Sequence, residues 1–194
     1  MLISINPDPE TFQRYVRNVV AVWDSATSEQ LNQGLHWYRS ANQLAYMISD
    51  GHVRKGAGVI AALSANKRWS TNVALATRAF ESGKPSGHFN DALDKADRIM
   101  AGEDPESVLP MDIKTGQFFK CIANPRDSWA VCIDRHAHDI AVGMRYGDSA
   151  RGLSSRNRYA MLASVYRKAA DWVGYLPQEI QAVTWVTWIE SREN

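Results

Sequence analysis

Two cysteines in 194 residues, Cys121 and Cys132, are too few for a disulfide framework or for the thiolates of an iron–sulfur cluster. No apolar run approaches the roughly 18–20 residues of a membrane span, so no membrane partner is expected. The opening MLISINPDPE does not have the form of a signal peptide. No stretch alternates apolar and polar residues between hairpin signals, which gives no basis for a sheet. Internal repeats and low-complexity tracts are missing as well. What is left is the composition of an ordinary globular protein, 45% hydrophobic and 22% charged, with the cytoplasm as the expected compartment. The length suits one domain of some size or two small ones packed together.

A large net charge is also lacking, for the balance is +1. Its distribution is uneven. Residues 53–84 carry Arg54, Lys55, Lys67, Arg68, Arg78 and Lys84 against Glu81 alone, a net +5. Residues 135–168 hold Arg135, Arg145, Arg151, Arg156, Arg158, Arg167 and Lys168 against Asp139 and Asp148, again +5, while residues 91–112 are net −5. If the basic segments meet, they make a phosphate-attracting face with the acidic stretch lying off it; otherwise they are solvated helix faces.

Helical periodicity runs through nearly the whole chain. Phe12, Tyr15, Val16, Val19, Val20 and Trp23 repeat at spacings of three and four, behind Asp8 as a cap and Pro9 as a first-turn residue. Thr27 with Gln30 reads as a capping box for a second helix that stops at Gly51. Further helices are expected near 53–65, 70–82, 89–101, 113–123, 134–146, 155–173 and 177–190, with a short turn at 105–109. The expected fold is all-α, of about nine helices.

The stretch WAVCIDRHAHDIAVG, residues 129–143, sets Asp134, Arg135 and His136 into an apolar context. A carboxylate there needs a partner or a task. As an N-cap Asp134 would have the first; at a reacting centre it would have the second. Upstream, VLPMDIKTGQFF leads into an apolar-rich helix and a loop. This order resembles the helix-hairpin-helix DNA glycosylases, in which a Leu-Pro-Gly-x-Gly-x-Lys-Thr-Ala hairpin, a helix and a loop precede Val-Asp-x-His with the catalytic aspartate. Leu109, Pro110, Lys114 and Thr115 match the hairpin, and Ile133, Asp134 and His136 match the aspartate segment. AALSANKRWSTNVALA is similar to the family's Leu-Leu-Ser-x-Gln stretch, with Asn66 at the glutamine and Asn72 also matching.

The resemblance implies a two-lobed fold with a cleft between the lobes. Residues 57–146 would form a six-helix core with the hairpin, and 1–52 with 147–194 the second lobe of a single unit. It implies Asp134 as the catalytic carboxylate, which would stabilise positive charge at C1′ of the sugar as the base leaves. It implies Lys114 as a Schiff-base nucleophile in lyase-type members; from its position alone, Lys114 could equally be a surface lysine in a first helical turn. Asn66 could fill the gap left by a flipped base or cap a turn, and Trp69 could stack on a base or fill core. Arg135 suits a phosphate or acid partner, and His136 would anchor its helix start by hydrogen bonding. Lys67, Arg68, Arg156 and Arg158 are candidate phosphate contacts. The hairpin departs from the family, since Met111-Asp112-Ile113 replaces both glycines and Asp112 would repel a phosphate.

Cys121, Cys132, His136 and His138 could suggest zinc, but histidines two apart on a helix point to different sides. No metal and no cofactor are expected. Trp185 and Trp188 read as core or as the wall of a base pocket. The leading expectation is a monomeric DNA N-glycosylase, with or without lyase activity, acting on a flipped and modified or unmodified base. A second is a phage-type enzyme (then in the host cytoplasm) that replaces a pyrophosphate on a 5-substituted thymine-like base with an amine. The third is a protein that binds nucleic acid or a modified nucleotide without turnover.

Overall fold

In the computed structural model the described residues are 2–147 and 151–191, so Asp148 of the second basic segment lies outside them. The described residues are all-helical, with no strand among them. The helices are α1 (Pro9–Asp24), α2 (Ser28–Ile48), α3 (Val53–Ala62), α4 (Trp69–Ser82), α5 (Asn90–Met100), α6 (Pro105–Val108), α7 (Lys114–Ala123), α8 (Arg135–Val142), α9 (Arg156–Val173) and α10 (Pro177–Glu190). None of them is long and apolar enough to cross a membrane.

Local chemistry starts these helices where the sequence says. Asp8 Oδ1 accepts from Thr11 N at 2.8 Å with Pro9 opening α1. Thr27 N donates to Gln30 Oε1 at 2.9 Å and Gln30 N to Thr27 Oγ1 at 3.2 Å, the reciprocal box that satisfies two orphan donors of α2. Two helices end earlier than periodicity suggests. Helix α3 stops at Ala62, and the chain turns through Asn66 at φ 56° before α4. Helix α8 stops at Val142 because Gly143, at φ 80°, returns its N–H to the Asp139 and Ile140 carbonyls. Asn18 of α1 then supplies Nδ2 to the Ala141 carbonyl at 2.9 Å. An apolar repeat cannot reveal such a left-handed stop.

The chain divides into two compact units. The first holds Met1–Tyr38, Asp112–Lys114 and Arg126–Asn194. Its core joins Val16 and Val19 of α1, Val131 and Ile133, Ile140 of α8, Leu162, Val165 and Tyr166 of α9, and Ile180 of α10. The second holds Arg39–Met111 and Thr115–Pro125, with the buried run Gly56–Ala62 of α3 packed by α4, α5 and α6. These limits differ from the expected 57–146 core. The boundary falls inside α2, and residues 126–146, Asp134 included, belong with the terminal helices. The reason is packing: α8 buries its apolar face on α1, α9 and α10.

Helix α6, a turn at 109–113 and α7 follow one another as a helix–turn–helix hairpin, which belongs to the second unit except for Asp112–Lys114. The glycine that permits its tight fold is Gly116 within α7, where a Cβ would sit 2.3 Å from Met111 Cα and 2.6 Å from the Pro110 carbonyl. Gln117 Nε2 also donates to the Met111 carbonyl at 2.8 Å. Gly116→Ala should therefore cost about 1–3 kcal/mol through overpacking against backbone, read as a lower thermal or urea midpoint. An unchanged midpoint would mean that the turn does not press on α7.

Candidate active site

Residues 130–133 are buried but not helical, so α-helical bonding cannot satisfy their backbone. Two side chains do part of it. Asp127 Oδ1 accepts from Ala130 N at 2.7 Å. The Tyr159 hydroxyl, on α9, accepts from Ile133 N at 2.8 Å and donates to the Val131 carbonyl at 3.0 Å. One phenol thus fixes the backbone immediately before Asp134.

Asp134 is the N-cap of α8. Its Oδ1 alone accepts from His136 N at 2.9 Å and Ala137 N at 2.8 Å. Its Oδ2 takes no hydrogen bond among the described residues, and the side chain is half-buried. The capping and reacting readings are therefore compatible, one for each oxygen. Tyr166 of α9 braces the same helix by donating to the Ala137 carbonyl at 3.0 Å.

Lys114, half-buried, opens α7, and its carbonyl lies 4.0 Å from Cys132 Sγ. Burial pushes the Cys132 thiol up to about 12, with the Lys114 cation opposing and the Asp134 carboxylate reinforcing. A thiol held protonated is neither nucleophile nor metal ligand. Among the described residues no group of three or more His, Cys, Asp or Glu could hold a metal ion.

The other sequence candidates divide between the units. In the first, His136 is buried and its Nε2 accepts from Arg135 Nε at 3.2 Å, while Arg135 itself is exposed. Arg156 is exposed and pairs with Asp112 at 3.5 Å, which neutralises the hairpin acid. Arg158 is turned inward: Nε donates to the Ile3 carbonyl at 3.2 Å and Nη1 to Gly152 at 3.1 Å. It works first as a clamp on the fold. In the second unit Asn66 is exposed in its left-handed turn, which gives the turn reading a physical basis. Lys67 is half-buried and Arg68 exposed, and Trp69 sets its ring edge-on to Phe118 with centroids 6.4 Å apart. The acidic stretch is not set apart from the bases, since Arg54 bonds Asp104 at 2.8 Å and Glu106 at 3.1 Å.

Sequence reasoning missed one cluster. His138 and Asp139 are 0% and 1% exposed, with His138 Nδ1 at 2.9 Å from Asp139 Oδ1. Arg151 grips the same carboxylate through Nε at 2.9 Å and Nη2 at 2.7 Å. His138 Nε2 is buried without a hydrogen bond. The available signal was two polar residues on the apolar face of α8, which demand an ionic partner; nothing local names Arg151.

Fold and site together define an all-α protein built around a capped, half-buried carboxylate. Over residues 1–192 the chain matches the family described as "Family of unknown function (DUF7178)", and it belongs to that family. No curated protein and no solved structure matches it.

Burial pulls the His138 ring below its ordinary 6.5, against the Asp139 carboxylate, with Arg151 and Arg158 reinforcing burial. Burial alone would raise the Asp139 carboxyl, but bonds from Arg151 and His138 outweigh it and hold it below 3.8. The unfolded chain protonates His138 where the folded one does not. Its stabilising contribution is thus complete above 6.5 and declines as the pH falls towards the lower folded value. Asp139's contribution is lost only below 3.8. His88, lowered by burial and Lys67, adds a slope of the same sign. The urea midpoint should drop between about pH 7.5 and pH 5, less steeply in His138→Gln. Equal slopes in the two proteins would remove His138 from this role.

Proposed function

We propose that the protein is a DNA N-glycosylase of helix-hairpin-helix type, acting on a base extruded from the strand, with Asp134 as the reacting carboxylate. The observation that carries the reading is the division of labour within that carboxylate: Oδ1 is tied to the first turn of α8 and Oδ2 is uncommitted, with the Lys114 carbonyl 4.0 Å from Sγ of Cys132, two residues before Asp134. The hairpin formed by α6, the turn and α7 adds support.

The chemistry follows from those groups. As the N-glycosidic bond lengthens, its electron pair leaves with the base and positive charge gathers at C1′. A fixed carboxylate oxygen in apolar surroundings stabilises that charge more than water could. Asp134 also takes a proton from the attacking water as its oxygen bonds to C1′, and the departing base gains a proton. In a lyase variant the Lys114 amine nitrogen bonds to C1′ instead as the base leaves with the glycosidic electron pair; the nitrogen gives up its surplus protons, O4′ takes one as the C1′–O4′ bond breaks, and an iminium on the opened sugar results. The phosphates beside the extruded base would meet cations, and Arg156 and Arg135 are exposed for this in the same unit as Asp134.

Asp134→Asn is a clean probe, because asparagine caps a helix as well as aspartate does. Turnover should fall at least about a hundredfold, near 3 kcal/mol of electrostatic stabilisation, while the unfolding free energy stays within about 1 kcal/mol of wild type. Mass spectrometry of DNA after incubation distinguishes the outcomes. Free base supports the glycosylase, an altered base still on the sugar identifies base modification instead, and unchanged DNA leaves a binding protein.

Lys114 has its own assay. Borohydride should trap a covalent adduct on abasic DNA, and Lys114→Gln should abolish it. Base release with no trapped adduct assigns the attack to water and leaves Lys114 to position the strand.

A further inference from the structure

Trp129 is 68% exposed, more than any other large apolar side chain described. An indole on the surface is unfavourable, yet the pose of this one is built. Asp127 Oδ1 accepts from Trp129 N at 2.8 Å, and Gln178 Nε2 holds the Asp127 carbonyl at 3.2 Å. Arg167 Nε donates to the Trp129 carbonyl at 2.9 Å, and the guanidinium carbon lies 3.8 Å from the indole centroid. A planar cation therefore backs one face of the ring, and most of the remainder meets solvent. The Arg167 terminal nitrogens make no hydrogen bond among the described residues, and Lys168 is exposed beside it on α9.

We infer that Trp129, backed by Arg167, is a stacking platform for an unpaired nucleobase of the strand whose target base reaches Asp134. This rests on the function proposed above. A flat π-system is the ligand that an open indole face selects, and bases stack on aromatic rings with little regard to sequence. The free guanidinium nitrogens suit a phosphate oxygen of the same nucleotide. Reach is compatible too. Trp129 and Asp134 are five positions apart in the chain, so their Cα atoms lie at most about 17 Å from each other. At roughly 3.4 Å per stacked nucleotide, the platform would sit within about five nucleotides of the target.

The test compares wild type, Trp129→Ala, Trp129→Phe and Asp134→Asn for binding of oligothymidylate and of a backbone-matched abasic oligonucleotide. Trp129→Ala should weaken oligothymidylate binding about tenfold, with Trp129→Phe close to wild type. Neither change should alter affinity for the abasic strand, which has phosphates and no bases. Oligothymidylate should quench tryptophan emission in wild type and less in Trp129→Phe. Equal oligothymidylate affinity in wild type and Trp129→Ala overturns the platform. So does a concentration-dependent dimer in sedimentation that Trp129→Ala abolishes, because the indole would then contact a second copy. If stacking holds while Asp134→Asn still turns over, the platform stands and the catalytic assignment falls. The opposite pattern separates the two the other way.

Discussion

A stretch of non-helical backbone inside a helical protein carries donors and acceptors that no helix can satisfy, and buried residues 130–133 are such a stretch. Everything at the candidate site depends on how that problem is solved. Tyr159 places one hydroxyl where it both accepts from Ile133 and donates to Val131, and Asp127 closes the other end. An unmade buried hydrogen bond costs about 1–3 kcal/mol, so the conformation is tightly specified. Cys132 is thereby directed into the core and Asp134 to the mouth of α8.

The cationic residues look different once their partners are known. Arg54, Arg151, Arg156 and Arg158 all contribute to the two basic segments, but each is engaged: two acids, one buried carboxylate, one hairpin acid and two carbonyls respectively. Exposed pairs such as Arg156 with Asp112 are worth little and are readily exchanged for another anion. Arg151 differs. Its partner is buried, and removing it would leave an uncompensated charge in the core. Net charge along a segment therefore overstates the charge offered to a ligand.

How much of this was legible in the sequence depended on range. Helix starts were, because Asp8, Thr27 and Gln30 act within one turn of themselves. Helix ends were less so: α8 stops at a glycine whose left-handed backbone an apolar repeat does not register, and α3 ends before a turn through Asn66. Asp134 was visible as a polar residue in an apolar run at a helix start, with Lys114 twenty positions earlier. Tyr159, twenty-six residues from Ile133, was not. Nor was the grip of Arg151 on Asp139. Such contacts are set by how α8 lies on α1 and α9, which pairwise spacing does not encode. The boundary between the units was misplaced for the same reason, since the helix carrying Asp134 packs with partners from both ends of the chain.

The buried Cys132 thiol has one more consequence. Peroxides, nitrosating agents and alkylating electrophiles all act on thiolate, and burial keeps Cys132 in the form they ignore. Cys121 is buried as well. Cys132 is therefore shielded from the thiol-directed oxidants that act on exposed, ionised cysteines.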